Sequence, residues 1–183
     1  MKHYSKTWLL GLVALVLVWV GGAAQAQPAR KPRPQLGIGV AFAPDGALWW
    51  VGLNAENQLV IQSAPAATTP PQWSPPRVID IGGDPVSADG ENHPKLLFGP
   101  DNTVLIAYTQ PLAKPNTGFV RMLRSTDGGK TFSLPFTVHA DRQEITHRFE
   151  SIGFDANGVL HAIWIDKRDL EAAPKQGNKS SYR

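Results

Sequence analysis

The sequence contains no cysteine, so neither disulfides nor thiolate metal sites contribute to its fold. Charge is sparse: 18 Lys and Arg stand against 15 Asp and Glu, a formal net charge of +3. A nucleic-acid footprint needs a clustered basic face, and none is present, so no nucleic-acid partner is expected. The basic runs Arg30-Lys31-Pro32-Arg33-Pro34 and Lys175 to Arg183 read as solvated, flexible ends. No apolar run reaches the ~20 residues of a membrane-spanning helix. The longest, Trp8 to Val20, is thirteen residues of apolar side chains and Gly. Sustained helical periodicity is also missing. Alternating segments are broken by 17 Gly and 16 Pro, which excludes a solenoid of helices.

The short apolar run has a use of its own. Lys2, His3 and Lys6 precede it, and Ala24-Gln25-Ala26 follows as an Ala-x-Ala cleavage pattern. Residues 1–26 therefore read as a secretory signal cut after Ala26. The expected location is the periplasm or the medium, with no membrane association after cleavage. Removing Lys2 and Lys6 lowers the formal charge to +1. Residues 27–35 read as a flexible linker.

The rest is repetitive. Phe42-Ala43-Pro44-Asp45-Gly46-Ala47-Leu48 aligns with Phe98-Gly99-Pro100-Asp101-Asn102-Thr103-Val104 at an offset of 56 residues. The same offset leads to Phe154-Asp155-Ala156-Asn157-Gly158-Val159-Leu160. Each copy predicts a strand, a tight turn and a second strand, the second strands being Leu48 to Leu53, Val104 to Thr109 and Leu160 to Ile165. Later in the unit, Trp73-Ser74-Pro75-Pro76-Arg77-Val78-Ile79 matches Phe132-Ser133-Leu134-Pro135-Phe136-Thr137-Val138. Four strands per unit suit a propeller blade. The units are 36–90, 91–146 and a partial third, 147–183, with a polar tail. The fold class is all-β: blades of four antiparallel strands, about two and a half of them.

The best-formed turn is Ser125-Thr126-Asp127-Gly128-Gly129-Lys130-Thr131-Phe132. Asp-Gly-Gly tolerates left-handed backbone angles, and Asp127 can bond the backbone nearby. Its flanks, Phe119 to Leu123 and Phe132 to Val138, read as paired strands. The spacing Ser-x-Asp-x-Gly-x-Thr-aromatic resembles the Asp-box of the sialidase-like β-propellers (BNR repeats), with Ser125, Asp127, Gly129, Thr131 and Phe132 in the structural positions. The first unit retains Ser63 and Trp73, with a Pro/Ala/Thr insert in place of Asp-Gly-Gly. The resemblance covers Leu36 to about Asp169. It implies that the Asp-box faces away from any ligand and that the opposite rim comprises residues 80–95, 110–118, 140–151 and 166–180. Closed propellers take roughly four to eight blades. Missing blades, or self-association of short chains, would be needed to close this one.

On that rim the densest polar cluster is Asp141-Arg142-Gln143-Glu144-Ile145-Thr146-His147-Arg148-Phe149-Glu150. Arg148 suits a carboxylate or sugar hydroxyl, with His147 and Glu150 holding it or exchanging protons. The same residues also fit a connecting loop with surface ion pairs. Trp164-Ile165-Asp166-Lys167-Arg168-Asp169 is similar to the Trp-x-Asp-x-Arg stretches of secreted Asp-box propellers, which puts Asp166 and Arg168 among the ligand candidates. Asp169 also fits a helix cap. His93, in Glu91-Asn92-His93-Pro94-Lys95, reads as an oriented structural group. His139 and His161 read as ordinary strand residues, and Trp49, Trp50, Trp73 and Trp164 as core. No His pair has metal spacing, and neither metal nor cofactor is expected.

The family's sialidases use an arginine triad, an acid Asp and a Tyr nucleophile paired with Glu. Arg33-Pro34-Gln35-Leu36 stands where their Arg-Ile-Pro is usual, and neither Tyr108 nor Tyr182 matches the nucleophile. The resemblance implies a member of the exo-sialidase-like glycosidase superfamily that is inactive alone. The alternative is a non-catalytic exported propeller that binds glycan or protein. Catalytic residues are not assigned.

Overall fold

The computed structural model describes residues 35–66 and 68–169. The expected signal, the linker apart from Gln35, and the polar tail with Tyr182 lie outside the described residues. Every described element is a strand. Strands β1 (Gly39–Phe42), β2 (Leu48–Leu53), β3 (Leu59–Ala64) and β4 (Arg77–Val78) form one sheet in chain order. Strands β5 (Lys95–Phe98), β6 (Val104–Pro111), β7 (Gly118–Ser125) and β8 (Phe136–Thr137) form a second in the same order. Strands β9 (His147–Phe154) and β10 (Leu160–Asp166) make a hairpin. All paired strands are antiparallel and no sheet closes into a barrel, so the arrangement is propeller-like and incomplete.

The three repeated turns close alike. The Ala43 amide donates to Ala47 (2.8 Å), Gly99 to Thr103 (2.8 Å) and Asp155 to Val159 (3.0 Å). Strand β6 sits at the centre of the packing. Val104, Ile106 and Tyr108 point into one core with Val51, Leu59, Ile61 and Leu123. Leu105 and Ala107 point into another with Met122, against which Ile152 and Phe154 pack. Both faces are covered, which is why β6 reads as a continuous apolar run and not as a half-buried alternation. Each such side chain contributes about 2 kcal/mol relative to exposure.

Neighbouring sheets approach closely at two glycines. A Cβ at Gly39 would run into the Pro94 carbonyl oxygen, and one at Gly99 into the Phe154 ring.

Three expectations are corrected. The strand after the Asp-box is only Phe136–Thr137, not 132–138. Ser133 makes a two-bond clamp with Arg124, and Pro135 then has no N–H to donate to a ladder. The register also moves the first unit's equivalence by one residue. Leu48 pairs with Ala64 as Val104 pairs with Ser125, so Ala64, not Ser63, occupies the Asp-box serine position. Ser63 corresponds to Arg124, and both are clamped alike: Ser63 N–H to Ser74 Oγ (3.1 Å) and Arg124 N–H to Ser133 Oγ (3.1 Å). Finally, Trp49 packs on the core but Trp73 is exposed.

Candidate functional site

Strand β6 separates two differently built ends. At one end Val104 pairs with Phe98 and Ser125; at the other Pro111 pairs with Gly118, which bridges to Thr146. At ~3.3 Å per residue these ends lie roughly 23 Å apart.

The Asp-box end is satisfied locally. The Ser125 hydroxyl donates to Asp127 Oδ1 (2.7 Å) and accepts the Gly129 N–H (2.8 Å). Thr131 donates its N–H to Asp127 Oδ1 (2.9 Å) and its hydroxyl to Oδ2 (2.6 Å). These bonds, those from Thr131 first, hold the Asp127 carboxyl well below the ordinary range. Gly128 and Gly129 take positive φ (72° and 85°), as the turn requires. Arg77 of β4 reaches across from the first sheet, donating to the Lys130 (3.1 Å) and Gly129 carbonyls. The turn is therefore a lock between sheets. Its carboxylate oxygens are occupied in holding it.

The opposite end is built from distant segments. The start of β9 contains a bulge: the register to β10 slips between Ile163 and Ile165, and Phe149 has φ of 60°. Positive φ is unusual for a bulky residue, and bulges re-aim side chains. Here Arg148 and Glu150 both turn inward. Glu150 is buried, and its Oε2 lies 2.9 Å from the Thr109 hydroxyl, which is 2.7 Å from Asn92 Oδ1. Asn92 Oδ1 also accepts the Phe149 N–H (3.2 Å), which identifies it as the carbonyl oxygen. Thr109 has one proton for two acceptors. When it donates to Asn92, the contact with Glu150 is a hydrogen bond only if Glu150 donates, as a neutral acid. Burial raises the Glu150 pKa, against hydrogen bonds from its own backbone N–H and Thr109. Burial likewise lowers that of Lys95, whose ammonium donates to the carbonyls of His93 (2.6 Å) and Glu91 (3.2 Å). Glu150 Oε1, Asn92 Nδ2 and Arg148 Nε are buried without a hydrogen-bond partner. The Arg148 guanidinium lies 3.6 Å from Asp89 and 5.0 Å from the centre of the Phe149 ring.

A second cluster adjoins it. His147 Nδ1 faces the Gly118 carbonyl (3.2 Å), and Nε2 faces Asp141 (3.0 Å) and Asp166 (3.7 Å). Asp166 accepts from Trp164 Nε1 (3.2 Å) and from Arg168 through its backbone N–H (3.0 Å) and Nε (2.9 Å). Burial raises the Asp166 pKa, but the Arg168 and Trp164 bonds outweigh it and the net shift is downward. His139 stacks on His147, with ring centres 3.9 Å apart and planes at 14°.

The structure thus gathers the five expected ligand candidates at one end, in two groups joined through β9: His147, Asp166 and Arg168 together, and Arg148 beside Glu150. Arg148 lines an open cleft of about 240 Å³ with Asn116, Thr146, Phe149, Ile165 and Lys167. His139, expected in a strand, lies in a bend, because its ring is held by Val120 and Asp141. Asn92 and Thr109 were not singled out at all. Neither residue type is distinctive in sequence; long-range packing gives both their roles. His93 is an oriented structural group, bound to the Gly90 carbonyl (2.9 Å), and His161 is a strand residue. Among the described residues no His, Asp and Glu cluster is arranged to hold a metal.

No protein-family description matches the sequence, and no curated protein matches it. Among solved structures, the chain is similar to a polysaccharide lyase of family PL25, an ulvan lyase bound to -[GlcA(1-4)Rha3S]-, at 14% identity and a TM-score of 0.44. That alignment covers 68% of this chain and 30% of the lyase. A second structure of a PL25 ulvan lyase aligns at 14% identity and a TM-score of 0.44, over 70% of this chain and 34% of the other. The chain spans about a third of their length. Likeness at that level assigns neither activity nor substrate.

Proposed function

We propose that the chain is the blade-bearing part of an exported, sialidase-like Asp-box propeller that binds an acidic glycan at the end opposite the Asp-box. The observation that carries this reading is Arg148. Its side chain is 13% exposed, lines the cleft, and has a buried Nε–H without a hydrogen-bond partner. A planar guanidinium lining an open cleft suits a sugar carboxylate or paired hydroxyls. Asn92 holds the Phe149 amide and Thr109 meets Glu150, so these residues fix the bulge on which Arg148 sits, and Arg168 is held by Asp166. Hydrolysis by these residues alone is not part of the reading, since no residue matches the family's Tyr nucleophile. The test is titration calorimetry with sialylated and uronate-containing oligosaccharides. Binding should weaken at least about tenfold in Arg148→Ala, the loss of one charge-assisted contact, and persist in Asp127→Ala. Failure of every acidic glycan to bind, or equal binding by Arg148→Ala, would overturn it. Export is checked separately: the mature protein should begin at Gln27.

A second reading, a non-catalytic propeller completed by self-association, is favoured by the free face of β1. Val40 and Phe42 on β1, with Ile38 just before it, are 59%, 72% and 52% exposed, while Ala41 on the other side packs on the core. Another sheet covers the corresponding face in the second unit. Light scattering on the mature chain should then give a defined multimer that Val40→Lys dissociates.

A further inference from the structure

Two stacked imidazoles under one rim segment cannot both carry charge comfortably, and here the hydrogen bonds assign the proton. His139 Nε2 accepts the Val120 N–H (3.3 Å), and Nδ1 donates to the Asp141 carbonyl (2.7 Å). Its lone pair is spoken for by a backbone amide of β7, so the ring is neutral. His147 is the reverse: both nitrogens face acceptors, the Gly118 carbonyl and the Asp141 carboxylate.

We propose that the His139–His147 stack is an acid-released latch that fixes segment 138–146 and, through it, the Arg148 cleft. A proton arriving at His139 Nε2 must evict the Val120 amide and place a charge against the stacked His147 ring 3.9 Å away. The groups facing the pair are Asp141 and Arg142 from its own segment, His147 of β9, and Asp166 of β10 with Arg168 behind it; the Phe119 and Trp164 rings close the sides. Asp141 faces His147 and Asp166 is bonded by Arg168, so neither carboxylate is spare for a charge on His139. Opening carries outward through specific bonds. Gly118 N–H donates to Ile145 (3.1 Å), the Thr146 hydroxyl to Asn116 (2.7 Å) and Lys167 N–H to Thr146 (3.2 Å); Asn116, Thr146 and Lys167 all line the cleft.

The sign follows from linkage. Burial first, then the His147 charge, lower the folded pKa of His139. The opened ring regains its ordinary value of ~6.5, so the open form binds the extra proton and acid favours it. The latch is closed above that pH and weakens below it. Control of ligand binding rests on the glycan reading above; the latch itself does not.

Hydrogen exchange on the mature chain tests it, corrected for intrinsic rates, at the amides of Val120 and Gly118 between pH 7.5 and 5. If opening takes up one proton, Val120 protection should fall by up to about tenfold per pH unit below ~6.5. In His139→Gln, where the amide oxygen can still accept the Val120 N–H, that dependence should disappear. Should the variant not fold, the ring resonances of the natural protein decide: His139 must gain its proton together with the loss of Val120 protection. Independent titration of the two rings with Val120 protection unchanged overturns the latch. Loss of glycan binding at every pH, with Val120 still pH-dependent, overturns the functional reading and supports the latch.

Discussion

The two ends of β6 solve the same problem, seating carboxylates and hydroxyls beside packed sheets, in opposite ways. At the Asp-box, Ser125, Asp127, Gly129 and Thr131 satisfy one another within a span of seven residues. At the other end Asn92 meets Phe149 across 57 residues and Thr109 meets Glu150 across 41. A locally closed turn keeps its geometry from its own covalent chain and leaves little over for a ligand. A long-range network is fixed only by the fold, and it leaves Arg148 Nε, Asn92 Nδ2 and Glu150 Oε1 unspent. Among the described residues, these buried polar atoms without a hydrogen-bond partner are therefore at the second end.

Three substitutions test that contrast, each read from the urea midpoint at constant slope. Thr109→Val should have the largest effect, about 3 kcal/mol, because one hydroxyl serves two buried groups. Ser125→Ala should come next, at about 2 kcal/mol, stranding the buried Gly129 amide. If Ser125→Ala proves the costlier, the long-range network is not what holds this end together. The smallest effect is Ala64→Ser, the serine of the second unit placed at its equivalent in the first. That site is 1% exposed and has no Asp-Gly-Gly turn to receive a hydroxyl, so the change should destabilise by about 1 kcal/mol. Stabilisation instead would mean that the first unit contains a working turn.

The contrast also explains what could be read from the chain beforehand. The second strands fall where the 56-residue offset puts them, and Leu48–Leu53 agrees residue for residue. Turn chemistry and alternation are local, so they survive in sequence. The candidates His147, Arg148, Glu150, Asp166 and Arg168 were found by type and by resemblance, but their grouping into two clusters depends on the β9 bulge at Phe149, which has no turn residue to announce it. His139 was misplaced for the same reason: a lone histidine beside β8 gives no sign of the ring it stacks on. The equivalence of Ser63 failed because identity of residue type was followed where strand register decides.

The two glycines at which adjacent sheets meet have a wider consequence. Gly39 lies against the Pro94 carbonyl and Gly99 against the Phe154 ring, so at each point the glycine adds no side chain of its own between one sheet and the next. In a fan of sheets, a methyl group at either point would act as a wedge, and its tilt would be passed to every sheet beyond. The angle of the fan, and with it the number of sheets that complete a circle, depends in part on two positions that have no side chain.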